Sequence, residues 1–404
     1  MSKHNNNIYE DEATKSTLYL CKKMEIKEQF NIDEQSKQKI LNDFSELLNS
    51  KKNFLNSKYN LKNFDKNFIK EGESVFVVDL GGSTLKFAVI KYFNNTFRVI
   101  NSKRVEISET ESEENLFDFI LEETVKYYNE NLKKQVAEEI VFSKSKVNIA
   151  AGNSKIKSSL ILSYKLKSMS TSECFVEKYC KNFSGNFKNK NIDPLKYLNN
   201  KLGDLNIPIY FEKVINDSVA VTISKININH TESTEKNLDI GFVYGTGANL
   251  AIPINGEIYT LEIGGFYSKH IPLSDFDKII INEISNQNFN FLETITAGIY
   301  KEKLLNLIKK EYKLFSKENI DDYLLKCFYE RAFLFYTSFI SVIKESLYFS
   351  NEKIRIVCNG SPLNDEKCMN IFKKNIYESI GTTEIVNDND SAIIGGAMSL
   401  GFSE

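Results

Sequence analysis

The chain has 404 residues, of which 42% are hydrophobic and 26% are charged, enough for about two globular domains with substantial cores. Its formal net charge of −2 gives no overall field that would favour nucleic acid or an anionic membrane. Three histidines without clustering and six cysteines without CxxC spacing argue against a histidine-based metal site or triad and favour reduced cytosolic thiols. The sequence shows no secretory signal and no apolar run long enough to span a bilayer, so a cytoplasmic protein is expected.

The N-terminal part of the chain is predicted to be a polar tail followed by helix. Residues 1–17 are rich in Asn, Lys and Glu, which is typical of a disordered tail. From Leu18 to Leu61 the hydrophobic pattern is helical, with Ile40, Phe44 and Leu47 on one face.

A strand, a glycine turn and a second strand follow one another between Phe76 and Ile90. Gly81 and Gly82 form the tip, where positive φ angles and missing side chains would let a ligand approach the amide groups. Exposed N–H groups in such a turn attract anions. Asp79 ends the first apolar run, and a carboxylate beside bound phosphate is useful there mainly through a magnesium ion that keeps its waters. Taken alone, the segment is equally compatible with a surface hairpin that has a polar tip.

The middle of the chain carries a predicted helix, two predicted loops and an Asn-Asp pair. Leu116–Ala137 is amphipathic, whereas residues 182–191 and 231–237 are polar and predicted to be surface loops. Asn216 and Asp217 follow an apolar run, so the Asp217 carboxylate would lie at a strand end, where it could act as a base. Such a pair is otherwise typical of a turn or a helix N-cap.

The strand–glycine–strand pattern recurs in the second half of the chain. Gly245-Thr246-Gly247-Ala248-Asn249 separates two apolar runs, and internal echoes of this kind suggest duplicated architecture. A long apolar helix is predicted for Asp321–Phe349. A third glycine turn, Asn359-Gly360-Ser361, follows another strand-like run, and Gly395-Gly396 lies near the start of a small-residue segment.

The four glycine turns favour a nucleotide clamp between two similar domains, because two opposed phosphate-binding hairpins are what such a clamp requires. The sequence has no Gly-x-x-x-x-Gly-Lys-Ser/Thr loop, which argues against a P-loop enzyme. A dinucleotide-binding fold is also not favoured, since the glycines lie between strands rather than between a strand and a helix.

The motifs, in this order, resemble those of the eukaryotic hexokinases of the actin-like ATPase superfamily, and the chain is identified as a divergent fungal-type member. The resemblance implies an α/β fold of two actin-like (ribonuclease-H-like) domains with an interdomain cleft. The matched segments are Asp79-Leu80-Gly81-Gly82-Ser83 (first phosphate motif), Asn216-Asp217-Ser218-Val219 (catalytic motif), Gly245-Thr246-Gly247-Ala248-Asn249 (second phosphate motif), Glu262-Ile263-Gly264-Gly265-Phe266 (sugar segment) and Asn359-Gly360-Ser361 (adenosine motif).

The resemblance also implies a domain division. Residues 18–71 are expected to form an N-terminal helical segment that packs on the large domain. Residues 72–215 together with 388–404 would form the small domain, which carries the first phosphate hairpin. Residues 216–387 would form the large domain, which carries the second hairpin and the sugar and adenosine segments.

The resemblance assigns a role to each matched residue. Asp217 is expected to be the catalytic base that accepts the proton of the reacting sugar hydroxyl. The expected sugar-binding residues are Asn216, Asn249, Glu262 and the lysine of the family's Thr-Lys-Gly-Phe motif, whose register falls on Lys165 or Lys167. The expected nucleotide-binding residues are Asp79, Gly81, Gly82, Ser83, Thr84, Lys86, Gly245, Thr246, Gly247, Asn359, Gly360, Ser361 and Gly395. ATP and magnesium are the implied cofactors, with the metal reached from Asp79 through water, and Gly395 is expected to leave room for the base.

Several positions depart from the family pattern. Thr84 and Lys86 stand where the family has Asn and Arg, which keeps a cation. The family's Phe-Ser-Phe-Pro segment, whose serine contacts sugar, is expected at Ile149–Asn153, where the serine and proline are missing. The second sugar-binding glutamate is expected at the position of Lys303. A lysine there would donate hydrogen bonds instead of accepting them and would pair with Glu262.

Two functions are consistent with these observations. The first is an ATP-dependent kinase that phosphorylates the 6-hydroxyl of a hexose or a related sugar, N-acetylated hexoses included. The second is a catalytically weak or inactive hexokinase-like protein that binds sugar or nucleotide and regulates partners, and it rests on the departures in the sugar pocket. The expected partners are a small sugar and ATP, without nucleic acid or membrane, and the expected state is a monomer or weak homodimer.

Overall fold

The computed structural model of the protein describes most of the chain in eleven ranges. These ranges are residues 6–50, 55–65, 67–107, 116–133, 155–168, 174–178, 192–225, 237–285, 289–314, 320–347 and 353–402. The loop predicted at 182–191, residues 231–236 of the second predicted loop and the segment Ile149–Asn153 lie outside the described residues.

The described ranges contain both helices and strands. The α-helices are α1 (Asn6–Phe30), α2 (Glu34–Ser50), α3 (Leu116–Tyr127), α4 (Pro194–Asp204), α5 (Asp217–Ile223), α6 (Asp275–Ile284), α7 (Phe291–Thr296), α8 (Gly298–Tyr312), α9 (Ile320–Leu347), α10 (Glu366–Ile380) and α11 (Ser391–Ser399). The strands are β1 (Leu55–Asn60), β2 (Ser74–Leu80), β3 (Thr84–Phe93), β4 (Thr96–Glu106), β5 (Ile156–Leu162), β6 (Lys165–Ser168), β7 (Cys174–Lys178), β8 (Ile209–Asn216), β9 (Asn237–Tyr244), β10 (Ala248–Ile254), β11 (Glu257–Thr260), β12 (Lys353–Asn359) and β13 (Glu384–Asn387).

Among the described residues, the first large sheet has five strands in the order β4-β3-β2-β5-β8. β2, β3 and β4 are antiparallel neighbours, whereas β2, β5 and β8 run parallel. Successive side chains of a strand point to opposite faces. Phe76 and Val78 therefore belong to a core shared with α3 and α4, and Val75 and Val77 belong to a core shared with α5 and α11.

In the part of the chain that the structure describes, the second large sheet has six strands in the order β1-β11-β10-β9-β12-β13. β9, β10 and β11 are antiparallel, and β12 is parallel to both β9 and β13. Ile240 and Phe242 of β9 belong to a core shared with α2, α9 and α10. Val243, on the opposite face of the strand, packs against Val221 of α5 and Ala392 of α11. Helices α5 and α11 thus lie between the two sheets.

Helix α5 is held by glycines on two sides. A Cβ atom on Gly241 of β9 would overlap the carbonyl oxygen of Ser218, and one on Gly395 of α11 would overlap the carbonyl oxygen of Ala220. Glycine is needed at both positions because only a missing side chain permits so close a backbone approach. The packing fixes α5, and with it Asp217 as its first residue, relative to both sheets.

The N-terminal segment differs from the single helical stretch that the hydrophobic pattern predicts. The helix is interrupted at Asn31, and Asp33 Oδ1 accepts the N–H of Ser36 at 2.9 Å, an N-cap that starts a new helix. Leu55–Asn60 form a strand because they pair with β11. Helix α1 begins at Asn6, whereas the composition predicts disorder to residue 17; the Glu, Ala and Lys residues of this stretch have high helix propensity.

Two other predicted helices lie where the pattern places them. α3 starts at Leu116 and continues as a single π-helical turn at Tyr128–Leu132, after which the described range ends at residue 133. α9 occupies Ile320–Leu347, and it has buried apolar residues from Ile320 to Ile343. A search of the described residues finds none of their helices both long and apolar enough to cross a membrane.

Candidate active site

A cavity of about 530 Å³ is lined by turns of both large sheets. It contains nearly all the residues that the sequence predicts for a site. The predicted residues that line it are Asp79, Gly81, Gly82, Ser83, Thr84, Lys86, Lys165, Asn216, Asp217, Gly245, Thr246, Gly247, Asn249, Glu262, Asn359, Gly360 and Ser361. Lys167 and Gly395 do not line it.

The first glycine turn joins β2 to β3 and is closed by the N–H of Gly81, which donates to the carbonyl oxygen of Thr84 at 2.8 Å. Neither Gly81 nor Gly82 has a positive φ, which differs from the expectation for such a turn. Space is the constraint instead, because a Cβ on Gly81 would lie 3.3 Å from the carbonyl oxygen of Thr84. The turn therefore presents bare backbone to the cavity.

Asp79 lies at the base of this turn, directly across the strand pair from Lys86. Burial raises the pKa of Asp79 to about 7; the positive charge of Lys86 opposes this shift, and the negative charge of Asp217 adds to it. The described residues contain no group of three or more His, Cys, Asp or Glu side chains that could hold a metal. A magnesium ion here would have to be held largely by substrate phosphates and waters, and a single partly buried carboxylate fits that mode of binding.

The second glycine turn joins β9 to β10 and is tied to the start of α8. The N–H groups of Gly298 and Ile299 donate to the carbonyl oxygens of Gly245 and Thr246 at 2.9 and 3.0 Å. Thr246 Oγ1 donates to Ser83 Oγ at 3.2 Å. This bond joins the tips of the two glycine turns, and residues of both turns line the same cavity.

The Asn-Asp pair lies where β8 meets α5. Asn216 is the N-cap of α5, since its Oδ1 accepts the N–H of Ser218 at 3.0 Å and the Ser218 hydroxyl at 2.7 Å. Its Nδ2 donates to the carbonyl oxygen of Tyr164 at 3.1 Å. Asp217 follows as the first helical residue, is 8% exposed and lines the cavity. Asn216 therefore caps α5, and both Asn216 and Asp217 line the cavity.

A polar cluster continues from Asn216 along one wall. Asn249 Nδ2 donates to Glu262 Oε1 at 3.0 Å and lies 3.5 Å from Asn216 Oδ1. Glu262 has φ +47° and ψ +42°, a left-handed conformation that costs a residue with a Cβ about 1–2 kcal/mol. Strain of this kind persists only where the surrounding structure enforces it, and it is frequent at functional sites.

Two residues of this wall were missed by the sequence reasoning, namely Asn290 and Glu293 of the α7 region. Glu293 is 7% exposed; its Oε1 accepts the N–H of Ala248 at 3.0 Å and its Oε2 accepts Asn290 Nδ2 at 2.7 Å. A Cβ on Gly264 would overlap the Glu293 side chain, which explains a glycine at that position. The available signal is an acid in the short stretch Phe291–Thr296, whose other residues are Phe, Leu, Ile and Thr.

The structure corrects the expectation for Lys303. This residue lies on the exposed face of α8, forms an ion pair with Glu283 and does not line the cavity. It therefore neither pairs with Glu262 nor occupies the place of a sugar-binding acid. Glu293, ten positions earlier in the chain, is the second acid of the wall.

The end of β5 supplies a serine that the sequence reasoning did not place in the site. Ser163 follows β5, donates its N–H to the carbonyl oxygen of Leu80 at 3.0 Å and lines the cavity. Lys165 also lines the cavity and pairs with Glu177 at 3.4 Å. Lys167 lies two residues further along β6, is exposed and lies outside the cavity. Of the two lysine registers, the structure places only the first in the site.

The third glycine turn forms the remaining end of the cavity. Asn359 Nδ2 donates to the carbonyl oxygen of Asp388 and to Ser391 Oγ, both at 3.0 Å. Gly360 has φ +136°, and a Cβ there would overlap the carbonyl oxygen of Tyr244, so no other residue fits. Gly395 does not line the cavity, and the missing side chain there makes room for the backbone of α5 at Ala220; its place beside the base stays a prediction.

The chain is similar in sequence to known hexokinases and similar in structure to solved ones. The family model described as Hexokinase matches residues 22–226. The chain is 24% identical to Hexokinase-1 of Arabidopsis thaliana over 253 residues, which cover 58% of this chain and 47% of that protein. It is 29% identical to Hexokinase-1 of Solanum tuberosum over 90 residues, which cover 19% and 18%. The chain therefore matches less than half the length of these two curated relatives.

Two solved structures are similar over nearly the whole chain. One is titled as a crystal structure of hexokinase (TM-score 0.67, 15% identity, 96% of this chain and 99% of that one). The other is hexokinase from Schistosoma mansoni complexed with glucose (TM-score 0.68, 14% identity, 96% and 98%). These likenesses confirm the predicted fold class, two actin-like α/β domains. The fungal-type assignment stays a prediction.

Proposed function

Since the chain belongs to the hexokinase family, we propose that it is an ATP-dependent kinase that phosphorylates the 6-hydroxyl of a hexose or a related sugar, N-acetylated hexoses included. The observation that carries this proposal is the placement of Asp217. It lines one cavity together with both glycine turns and with the polar wall of Asn249 and Glu262. A proton acceptor, a phosphate cradle and a set of hydroxyl partners therefore face the same space.

The polar wall supports the sugar part of the proposal. A sugar hydroxyl that leaves water must find a new hydrogen-bond partner, or its burial costs free energy. Glu262 and Glu293 supply acceptors, Asn216 and Asn249 supply both donors and acceptors, and Ser163 supplies a hydroxyl at the end of β5. The similar structure from Schistosoma mansoni is titled as a complex with glucose, which makes a hexose the first ligand to test.

The two glycine turns support the phosphate part. Their exposed N–H groups and the hydroxyls of Ser83 and Thr246 would hold the phosphates of ATP, and Lys86 would offset part of the negative charge. Magnesium bound to those phosphates, and reached from Asp79 through water, would supply further charge neutralisation. Phosphate between the turns would replace the hydrogen bond that now joins Thr246 to Ser83.

The reaction then needs one base. As the sugar 6-hydroxyl oxygen bonds to the γ-phosphorus, the bond from that phosphorus to the β-bridging oxygen breaks and ADP leaves. Asp217 accepts the proton that the hydroxyl loses. Its place at the start of α5, a helix fixed between both sheets, would keep the carboxylate oriented toward the sugar.

We also propose the domain division that the sequence suggests, with residues 72–215 and 388–404 as the small domain and 216–387 as the large one. It is supported by the strands, since the five-stranded sheet is built from residues 74–216 and the six-stranded sheet, β1 apart, from residues 237–387. Packing of α2 in the core of the six-stranded sheet supports the prediction that the N-terminal segment 18–71 packs on the large domain.

The regulatory alternative loses part of its basis. That alternative rests on three departures from the family's sugar pocket: a missing serine, a missing second glutamate and a lysine of uncertain position. Ser163, Glu293 and Lys165 all line the cavity, so these departures no longer argue for lost sugar binding. An active kinase is therefore the function that we propose.

A coupled ADP-release assay over a panel of hexoses and N-acetylhexosamines tests the proposal, with Asp217→Asn as the variant. We expect sugar-dependent turnover in the wild type and a fall of at least 1,000-fold in kcat in the variant, with ATP and sugar affinity changed less than threefold. Asp275→Asn is the matched control. Asp275 is likewise the first residue of a helix, but its side chain is 82% exposed and pairs with Lys278. Absence of turnover with every sugar, or equal rates in the two variants, would contradict the proposal.

A further inference from the structure

Helix α2 contributes directly to the cavity, although the sequence suggests only a segment that packs on the large domain. Phe44 and Leu47 of α2 are among the lining residues. The Phe44 ring stacks on Phe339 with centroids 4.2 Å apart and meets Phe266 edge to face at 5.5 Å. Helix α2 therefore forms a wall of the site and packs against the segment that follows Glu262.

A partly buried hydrogen bond joins the same segment to α2. Ser268 is 3% exposed, and its Oγ donates to Asp43 Oδ2 at 2.6 Å while accepting the N–H of His270 at 3.1 Å. The bond joins residues 225 positions apart. Because a buried hydroxyl without a partner is costly, Asp43 determines where residue 268 lies against the helix.

The segment from Glu262 to Ser268 needs such support. Glu262 has a left-handed backbone, followed by a short 3₁₀ turn at Ile263–Gly265. The turn is closed by the N–H of Gly265, which donates to the carbonyl oxygen of Glu262 at 3.0 Å. A short turn with one strained residue holds its geometry only if both ends are anchored. One end continues from β11, and the other is anchored by Phe266 and Ser268 on α2.

We propose that α2 is part of the sugar subsite, with Asp43 as a positioning residue that holds the 262–268 segment and thereby aims the Glu262 carboxylate at the sugar. This inference rests on the proposed function. It gives the N-terminal helical segment a role in substrate affinity. Small displacements of a binding group are costly, since a shift of about 1 Å can reduce activity about 100-fold.

The experiment measures sugar affinity without turnover, by isothermal titration calorimetry of the full chain with glucose, mannose, fructose and N-acetylglucosamine. We expect Asp43→Ala to raise the Kd of the tightest-binding sugar, and its KM, at least tenfold, with KM for ATP changed less than twofold. Asp43→Asn keeps an oxygen that accepts from Ser268, so it should stay within threefold of the wild type. Ser268→Ala should match Asp43→Ala, and the double variant should be no worse than either.

The chain offers a control at the start of the same helix, the N-cap residue Asp33. Asp33 accepts the hydroxyl of Ser36 at 2.6 Å through Oδ2, the same bond type and length as at Asp43, but it is exposed, and its partner lies in the first turn of α2 rather than in the 262–268 segment. Asp33→Ala should lower the melting temperature and leave the sugar Kd unchanged. Equal sugar Kd in Asp43→Ala and the wild type overturns this inference alone, as does an equal loss in Asp33→Ala. A wild type that binds none of the four sugars overturns the proposed function as well.

Discussion

Replacing Glu293 by glutamine probes a residue that only the structure identifies. The carboxylate accepts the N–H of Ala248 at 3.0 Å through one oxygen and Asn290 Nδ2 at 2.7 Å through the other. Glutamine can keep one of these bonds, but its amide nitrogen would then face a second donor. Loss of a charge-assisted bond at a 7% exposed side chain costs about 2 kcal/mol.

We therefore expect Glu293→Gln to lower the free energy of unfolding by about 2 kcal/mol. Sugar affinity should fall too, because the remaining amide nitrogen cannot accept a hydroxyl. Since about 1.4 kcal/mol corresponds to a tenfold change in Kd, loss of one charged acceptor should raise the sugar Kd about 10- to 100-fold. Urea denaturation followed by circular dichroism measures the first effect, and calorimetric titration of sugar measures the second.

A second substitution separates the two effects. Asn290→Asp in the Glu293→Gln background returns an acceptor opposite the new amide, so at least half of the lost stability should be recovered. Glu302→Gln, an exposed acid on the neighbouring helix α8, is the control and should change neither quantity. An unfolding midpoint equal to that of the wild type, or a double variant no more stable than the single one, would refute the reasoning. Lost stability with unchanged sugar Kd would leave Glu293 as a structural residue only.

Three further outcomes are expected. Gly395→Ala would place a Cβ against the carbonyl oxygen of Ala220. The free energy of unfolding should therefore fall by about 1–3 kcal/mol in thermal denaturation, and kcat from initial rates should also fall. An unchanged melting temperature would contradict the packing. Thr246→Val removes the 3.2 Å bond to Ser83 and a phosphate-facing hydroxyl, so KM for ATP should rise about three- to tenfold while KM for sugar stays constant; a change confined to sugar KM would speak against the assignment. Because burial raises the pKa of Asp79 from 3.8 to about 7, the folded, magnesium-free protein binds one more proton than the unfolded chain between these values, and its stability should fall as pH rises through that window. The Asp79→Asn variant should lack this contribution in denaturation profiles between pH 4 and 7, and superimposable profiles would count against a raised pKa.

The placement of the glycine turns could be predicted because their signals are local. Apolar runs interrupted by Gly81 and Gly82, or by Gly245 and Gly247, specify strands that reverse over a few residues. Asn216 could likewise be recognised as a strand end and helix cap from its immediate neighbours. A motif whose residues are adjacent in the chain can be recognised from the sequence alone.

Other parts of the site could not be predicted, because they depend on contacts between distant segments. Ser163, Asn290 and Glu293 line the cavity because the end of β5 and the start of α7 lie beside it, and the acid at position 293 is the one local signal among them. Periodicity alone also predicted one helix across residues 18–61, where an N-cap at Asp33 and pairing of Leu55–Asn60 with β11 changed the outcome.

The sequence by itself determined the order of strands and glycine turns, the resemblance to one family and the candidates for base and phosphate contact, since these follow from residue types and short spacings. Only the tertiary structure decided which polar residues share the cavity, that Lys303 lies outside it, that Gly395 makes room for a helix and that α2 packs against the segment after Glu262. Each of these depends on how elements far apart in the chain pack against one another, and the free energy of that packing is distributed over many contacts rather than carried by any local pattern.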